Sequence, residues 1–476
     1  MSDLVKWQFL SLVSRFIAVV VGIAQGIFVV RLLSPADYGL VGIVASVGSV
    51  IGVWEHLGLA SGSTREISAT KSREEAFKVF ISSLAVRLSV SFPLALGLWL
   101  LASHIANNVY HQPLIVWPLR LQAIVLLLQG TQDILGAALS GSQKFKPVLI
   151  FQAAIALVSL AVYIALINQL HFLGYFWAML VVALLGVVGL LIPVWQHFST
   201  HWSCPSWIEF KRIMKMVFSI GLAIYVVKII YTFWQRLGPL FLGTALSAAE
   251  VGFFNFALFY ATKLLTISEA FSTINLPVMT KKFVENVEQF KIDFMKNFYK
   301  LYSFIFLAAV AAIFWAPEII HLVVGDKYDH SLVLIAPLVL AFLGYCFVNL
   351  LGASVIVPAK LLKEMIGYYV VLILGTVVSF LLLRPLDQPL LAMSLSMAVG
   401  CFLSLTLLLV VAYLRIKMII FDRKIVLLTL SLLPPLAAYF LVGDFLTKVV
   451  IFSFSTVIYL FLLFRFKILE FKNVRS

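Results

Sequence analysis

The run Leu33-Ser-Pro-Ala-Asp-Tyr-Gly39 sets the organisation of this chain, because a second copy follows 213 residues later as Leu246-Ser-Ala-Ala-Glu-Val-Gly252. The two copies share the pattern L-S-x-A-[D/E]-x-G. The same offset carries Arg15, which precedes the first copy, onto Lys228, which precedes the second. The pattern therefore predicts an internal repeat with a matched cation in each half.

The composition is that of a membrane protein. Of 476 residues, 62% are hydrophobic and only 12% are charged, whereas a soluble domain carries about 25% charged residues. A membrane-spanning helix needs about 20 predominantly apolar residues. We therefore predict an all-α membrane protein with about fourteen transmembrane helices, near residues 8–30, 39–60, 79–102, 113–139, 147–168, 172–196, 214–236, 250–276, 299–316, 332–357, 365–383, 389–414, 425–443 and 445–464.

The basic residues predict an orientation for these helices. The net charge of +14 does not indicate nucleic acid, because the basic residues lie in short loops between apolar runs. With the N-terminus inside, 25 Lys and Arg residues fall in inner segments and 5 in outer ones. Inner loops of membrane proteins carry such an excess. We expect both termini to be cytoplasmic and the first apolar run to be an uncleaved span.

The spacing of the repeat predicts a domain organisation. Six apolar runs separate the two copies, and an even number preserves orientation. The halves are therefore expected to be parallel repeats about an axis along the membrane normal. A fainter match of Gly136-Ala137 with Gly352-Ala353 supports them. We predict an N-terminal lobe over 1–200 with helices 1–6, a C-terminal lobe over 201–415 with helices 7–12, and helices 13–14 with a cytoplasmic tail over 416–476.

The segments Arg31–Leu40 and Leu57–Glu66 resemble the N-terminal signature of the Wzx-type polysaccharide flippases. These proteins belong to the multidrug/oligosaccharidyl-lipid/polysaccharide (MOP) exporter superfamily. Val251–Pro277 and Gly325–Lys360 look like the C-terminal half of the same family. The resemblance implies two six-helix lobes around a central cavity, with two added C-terminal helices.

This resemblance also implies a function. The expected substrate is an undecaprenyl-pyrophosphate-linked oligosaccharide, flipped across the cytoplasmic membrane by alternating access for export of polysaccharide or cell-envelope glycan. The expected partners are this lipid-linked substrate and membrane lipids. Glycan polymerase and glycosyltransferases are further candidate partners.

Basic residues inside the predicted spans are candidates for substrate binding. An ionisable group at membrane depth costs at least ~2.5–3.5 kcal/mol, so each one needs a partner or a water-filled cavity. Lys228 and Lys263 fall near the membrane midplane, and Arg15 lies nearer the cytoplasmic end of its helix. Because ammonium and guanidinium groups bind phosphate, we predict that these three residues contact the substrate phosphates.

Other polar residues in the spans are predicted to surround this site. Glu55, Asp133 and Glu269 are candidates for a gate or for ion pairs. The alternative is purely structural, with Arg15 paired to Glu55 or Asp133 and Lys263 paired to Glu269. The stripes of polar residues at helical spacing also place three neutral side chains in the cavity, namely Gln25, Gln235 and Asn255.

Three further sets of residues receive structural interpretations. Arg87 and Arg120, near span ends, are expected to snorkel to the membrane interface. Lys281–Lys300, with five lysines and several phenylalanines, predicts an amphipathic helix on the anionic inner leaflet. His197, His201 and Cys204 have a spacing compatible with zinc, but adjacent tryptophans favour an interfacial anchor.

The sequence predicts no metal, no cofactor and no catalytic residue. It contains no G-x4-G-K-[S/T] motif for ATP, so the driving force is left open among Na⁺, H⁺ and membrane potential. Two alternatives to the flippase remain. Glu269 and Asp133 keep open a cation-coupled multidrug exporter. A membrane glycan polymerase or glycosyltransferase is disfavoured, because the predicted outer loops are short.

Overall fold

The computed structural model describes residues 3–70, 72–199, 202–441 and 444–468. At some positions within these ranges only the backbone is described, namely 3–13, 15, 219–224, 267, 270–278, 386 and 440.

The regular structure of the described residues is helical throughout. Short 3₁₀ and π turns connect some of the α-helices. In chain order the α-helices are α1 (Asp3–Leu32), α2 (Pro35–His56), α3 (Leu59–Ala69), α4 (Arg73–His104), α5 (Val116–Gly141), α6 (Phe145–Phe198), α7 (Trp207–Leu242), α8 (Ala248–Glu285), α9 (Val287–Phe314), α10 (Ala316–Val324), α11 (Leu332–Leu351), α12 (Leu362–Leu383), α13 (Pro389–Ile416), α14 (Arg423–Ser431), α15 (Leu433–Leu441) and α16 (Phe445–Arg465).

The predicted spans coincide with these helices. The fifth and sixth apolar runs both lie on α6, which has 54 residues and is interrupted at His171 (φ 48°, ψ −126°). At 1.5 Å per residue α6 is about 80 Å long, more than twice the ~30 Å of a bilayer core. By length and composition, nine helical segments of the described residues are able to cross a membrane. The predicted all-α membrane architecture is confirmed.

The repeated motif has a local physical basis as a helix start. In the first copy, the Asp37 N–H donates to Ser34 Oγ at 3.0 Å, and Ser34 Oγ donates to Asp37 Oδ2 at 2.7 Å. In the second copy, the Glu250 N–H donates to Ser247 Oγ at 3.3 Å, and the Ser247 N–H donates to Glu250 Oε2 at 2.9 Å. A serine followed three residues later by an acid satisfies N–H groups that the first helical turn leaves unpaired. The motif thus begins α2 and α8 in the same way.

The motif glycines bring these two helix starts into contact. A Cβ added at Gly39 would lie 1.8 Å from the carbonyl oxygen of Ala248, and one added at Gly252 would lie 1.9 Å from that of Pro35. Each glycine thus faces the carbonyl four residues before the other. This reciprocal contact is what a two-fold relation between the repeats produces.

The first compact unit comprises Met1–Asn255. Within it α1 packs on α6, α4 on α5, and α2 on both α5 and α7. A buried apolar cluster, which includes Leu59, Phe77, Ile134, Phe198 and Val217, joins α3, α4, α5, α6 and α7. The seventh helix therefore has its main contacts within this unit.

The second compact unit comprises Phe256–Ser476. Its centre is α11, most of whose side chains are buried and which packs against α9 and α13. The α12 helix in turn packs on α13. Aromatic rings of α9 stack in the same core. The ring centroids of Phe294 and Phe298 are 5.5 Å apart, and those of Tyr302 and Phe347 are 5.1 Å apart.

The predicted amphipathic helix on the membrane surface is wrong. Residues 281–300 form the end of α8 and the start of α9, and α9 continues to Phe314. Phe290, Phe294 and Phe298 are buried. The aromatic stripe is therefore covered by protein, because Phe298 packs against Phe347 of α11 and against Phe421.

The boundaries of the compact units differ from those of the predicted lobes. The first unit ends at Asn255 rather than near residue 200, because α7 packs on α2, α3 and α4. The predicted division into 1–200, 201–415 and 416–476 is defined by the sequence repeat and not by how the helices pack into compact units. It stays a prediction.

Candidate functional site

A polar cavity of about 250 Å³ lies among helices of the first unit. Residues of α2, α4, α5 and α7 line it, and most of them are polar or charged. They are Gly48, Ser49, Gly52, Val53, Glu55, His56, Arg87, Gln122, Leu126, Gln129, Lys228, Thr232, Gln235 and Arg236. The Tyr225 hydroxyl donates to the Trp54 carbonyl at 3.1 Å and thereby ties α7 to α2 beside this cavity.

A buried ion-pair cluster forms one side of the cavity. Arg87 is 1% exposed. Its Nη2 lies 3.4 Å from Glu55 Oε1 and 3.3 Å from Asp133 Oδ2, and its Nη1 donates to the Glu55 carbonyl. His56 Nδ1 lies 3.3 Å from Asp133 Oδ2. A buried guanidinium is tolerated because two carboxylates and a carbonyl replace its hydration.

Glycine makes room for this cluster. A Cβ added at Gly130 of α5 would lie 2.6 Å from Arg87 Nε, closer than real Cβ contacts allow. At Gly48 of α2 an added Cβ would lie 2.5 Å from Gln122 Nε2. The close approach of α2, α4 and α5 around the cavity therefore depends on glycine, which has no Cβ, at these two positions.

The interpretation of Arg87 as a snorkelling residue is wrong, because its side chain is buried between Glu55 and Asp133. The sequence held a signal for this arrangement. At 1.5 Å per residue, Arg87 lies about 12 Å from the cytoplasmic end of its predicted span, and Glu55 and Asp133 lie roughly 8 and 9 Å from the cytoplasmic ends of theirs. Matching opposite charges by depth would have paired them.

Lys228 projects into the cavity from α7, and its side chain is accessible there. Among the described residues, no carboxylate lies within the 4.0 Å of an ion pair with it. Asp133 and Arg87 are the charged groups that act on it electrostatically. Within the described part of the chain, the ammonium group is therefore held in a cavity without a direct counter-ion.

Arg236, the last residue of the seventh apolar run, is not among the predicted cavity residues. It lies on α7, which continues to Leu242, and it lines the cavity two turns beyond Lys228. Its Nε is buried without a hydrogen-bond partner. No carboxylate among the described residues pairs with it within 4.0 Å.

The predicted neutral residues have different positions. Gln235 lines the cavity with Thr232. Gln25 of α1 accepts a hydrogen bond from Ser159 of α6 at 2.8 Å. Asn255 is buried at the crossing of α2 and α8, where its Nδ2 lies 3.5 Å from the Gly39 carbonyl oxygen. Of the three, only Gln235 is among the residues that line this cavity.

Three predicted residues lie elsewhere. The side chain of Arg15, on α1, lies outside the described residues. Lys263 and Glu269 belong to α8 within the second unit. The Lys263 ammonium lies 3.9 Å from the centroid of the Phe259 ring, an arrangement that stabilises a cation. Substrate contact by Arg15 and Lys263 stays a prediction, as does a gating role for Glu269.

The arrangement suits an anionic ligand rich in oxygen. Lys228 and Arg236 supply two positive charges that no carboxylate of the described residues pairs with directly, and Gln122, Gln129 and Gln235 supply neutral donors. In a cavity shielded from bulk water, each charge–oxygen hydrogen bond is stronger than at a surface.

The fold is that of MOP-superfamily transporters of known structure. The lipid II flippase MurJ, in an inward closed conformation, matches with 14% identity and a TM-score of 0.74, over 97% of this chain and 100% of that one. An inward-facing multidrug-resistance MATE family transporter of the MOP superfamily matches with 16% identity and a TM-score of 0.66, over 84% of this chain and 94% of that one. The eukaryotic MATE transporter AtDTX14 matches with 14% identity and a TM-score of 0.61, over 86% of this chain and 95% of that one.

Comparison with curated protein sequences gave no significant match. A family model described as "Polysaccharide biosynthesis protein" matches residues 28–333. This match covers more than half of the chain and includes both copies of the repeated motif as well as the cavity. The matched family and the fold agree with the resemblance to Wzx-type flippases of the MOP superfamily, and the chain belongs to the polysaccharide biosynthesis protein family.

Proposed function

We propose that this protein flips an undecaprenyl-pyrophosphate-linked oligosaccharide across the cytoplasmic membrane, and that the cavity of the first unit binds the pyrophosphate. The observation that carries the proposal is the position of Lys228, an accessible ammonium in a membrane-protein cavity with which no carboxylate of the described residues forms an ion pair. Leaving such a charge unpaired is costly, and a phosphate ligand removes the cost.

The size of the cavity favours a head group over a whole glycan. Small-molecule sites enclose roughly 300–1,000 Å³, so a cavity of about 250 Å³ suits a pyrophosphate rather than several sugars. In this proposal Lys228 and Arg236 bind the phosphates, while Gln235 and Thr232 donate further hydrogen bonds. Arg87 is already occupied by Glu55 and Asp133, so it positions the cavity wall.

Alternating access requires one end of the path to close while the other opens. The predicted orientation places the starts of α2 and α8 on the outer side of the membrane. We infer that the contact between Gly39 and Gly252 closes that side, and that release of substrate separates the two helix starts. The coupling ion, Na⁺ or H⁺, stays a prediction, as do the partner polymerase and glycosyltransferases.

The alternative of a cation-coupled multidrug exporter has weaker support in this cavity. An exporter of organic cations is expected to present uncompensated carboxylates, whereas Glu55 and Asp133 both contact Arg87. Arg87 shares its single charge between these two carboxylates, whereas Lys228 and Arg236 have no paired carboxylate among the described residues. A glycan polymerase would be recognised by the formation of new glycosidic bonds, which the proposed flippase does not make.

Equilibrium binding tests the proposal. Undecaprenyl pyrophosphate and an organic cation are titrated separately into the purified full chain in detergent. The variant is Lys228→Gln with Arg236→Gln, and Lys215→Gln, on an exposed position of the same helix, is the control. We expect the double variant to lose at least about tenfold in affinity for the lipid pyrophosphate, since hydrogen bonds to charged groups contribute about 1.5–3 kcal/mol each. Tighter binding of the organic cation, with the lipid ignored, would contradict the proposal.

A further inference from the structure

A second, larger cavity lies in the second unit and has a different character. Its volume is about 540 Å³. It lies where α9 and α14 begin and where α13 and α16 end. Five lysines line it, namely Lys291, Lys296, Lys417, Lys424 and Lys467.

The positive charge of this cavity is only partly neutralised. No acidic side chain of the described residues is part of its lining. Lys291 is paired with Glu288 at 2.7 Å on the exposed rim. The nearby Asp422 is already occupied, because it accepts from the Tyr299 hydroxyl and from the N–H groups of Lys424 and Ile425. Several lysines therefore line one cavity, and their like charges repel each other until an anion binds.

Two of the lysines have a left-handed backbone conformation, which residues other than glycine rarely adopt. Lys417 (φ 57°) and Lys467 (φ 54°) follow the ends of α13 and α16 in the left-handed conformation. Glycine is the usual residue after a helix end in this geometry, because a Cβ costs energy there. Lysine at both positions thus gives up local stability while placing two ammonium groups at the cavity.

The remaining walls are apolar. Five apolar side chains line the cavity between the lysines: Ile292 and Met295 of α9, Met418 and Ile419 of the linker after α13, and Phe466 after α16. A hydrated inorganic ion gains no stabilisation from apolar walls, whereas a phosphate ester attached to acyl chains buries apolar surface against them. Basic pockets between membrane helices on the cytoplasmic side are suited to anionic lipid head groups.

We propose that this lysine cavity is a binding site for the phosphate head group of an anionic phospholipid. The ammonium groups hold the phosphate oxygens, and the apolar walls contact the first carbons of the acyl chains. The predicted orientation places this end of the unit on the cytoplasmic side, so the lipid comes from the inner leaflet. The site is separate from the polar cavity of the first unit and does not depend on the substrate proposed for it.

Short-chain lipids test this site on the full chain in detergent. Dihexanoyl phosphatidylglycerol is titrated against dihexanoyl phosphatidylcholine and inorganic phosphate, with binding measured by calorimetry. The variant is Lys417→Gly with Lys467→Gly, which removes two charges where glycine fits the backbone. Lys360→Gly is the matched control, since Lys360 also has a positive φ of 58° and lies outside the cavity.

We expect phosphatidylglycerol to bind the wild type and the Lys360→Gly control equally, and the double variant at least about tenfold more weakly. Retained thermal stability of the double variant separates lost binding from misfolding. Equal binding of phosphatidylcholine, or unchanged binding by the double variant, would overturn the proposal. Inorganic phosphate binding as tightly as the lipid would overturn the lipid assignment in favour of a soluble phosphate.

Discussion

Gly39 and Gly252 lie against each other where the first turns of α2 and α8 cross, each facing the carbonyl four residues before the other. They occupy the same position in the two copies of the repeated motif. Because the neighbouring atoms are backbone, no side-chain movement makes room for a methyl group here. The contact explains why the motif ends in glycine in both copies.

We predict that Gly39→Ala destabilises the purified protein by about 1–3 kcal/mol, since overpacking at a rigid contact forces the two helices apart. Thermal unfolding in detergent measures the change. Gly136→Ala is the matched control, because a Cβ at Gly136 meets nothing within 4 Å. It is expected to be neutral or slightly stabilising. Equal effects of the two substitutions would contradict the close contact.

The Arg87 cluster predicts a second stability effect. Arg87→Leu leaves the Glu55 carboxylate buried without its partner, and breaking such a pair typically costs about 3–5 kcal/mol. The double variant Arg87→Leu with Glu55→Gln is expected to recover part of this loss. Denaturant or thermal unfolding of the three proteins measures the effect. A double variant less stable than Arg87→Leu would show that Glu55 is not a compensating charge.

The capping box at the start of α7 predicts a pH dependence. The N–H of Ser206 and the ammonium of Lys78 donate to Glu209, and these contacts lower the pKa of its carboxyl from 4.5 to about 2. A carboxylate with a lowered pKa stabilises the fold above its unfolded pKa, and that contribution is lost as the pH falls from about 4.5 toward 2. The difference in unfolding temperature between wild type and Glu209→Gln is therefore expected to shrink between pH 6 and pH 3. A difference that does not change with pH would contradict this role.

Much of the fold could be predicted because hydropathy determines where helices lie in a membrane protein. As far as the structure describes them, the fourteen apolar runs lie on helices, and the repeated motif marks two equivalent helix starts. The interruption of α6 at His171 was anticipated only as a break between two runs. The buried face of α9 was misassigned, because an aromatic stripe next to lysines has the same pattern whether lipid or protein covers it.

The candidate site was less predictable, because it depends on which helices are neighbours. Lys228 and Gln235 were identified from polar stripes on α7, and the structure places both on one cavity. Arg87 was not predicted, because a position near the end of a span does not distinguish a buried side chain from an exposed one. Arg236 was missed because α7 extends beyond its most apolar segment. Neither error could be corrected by periodicity alone, which gives the face of a helix but not the helix that it meets.

Transport by the Lys228→Gln variant tests the central claim most directly. The full chain is reconstituted into proteoliposomes, and transfer of an undecaprenyl-pyrophosphate-linked oligosaccharide across the bilayer is measured for Lys228→Gln, Lys228→Arg and the Lys215→Gln control. We predict at least about a tenfold loss for Lys228→Gln, from the charge-assisted hydrogen bonds removed. Lys228→Arg is expected to retain most of the activity, and Lys215→Gln all of it. Transport by Lys228→Gln at the wild-type rate would contradict the account.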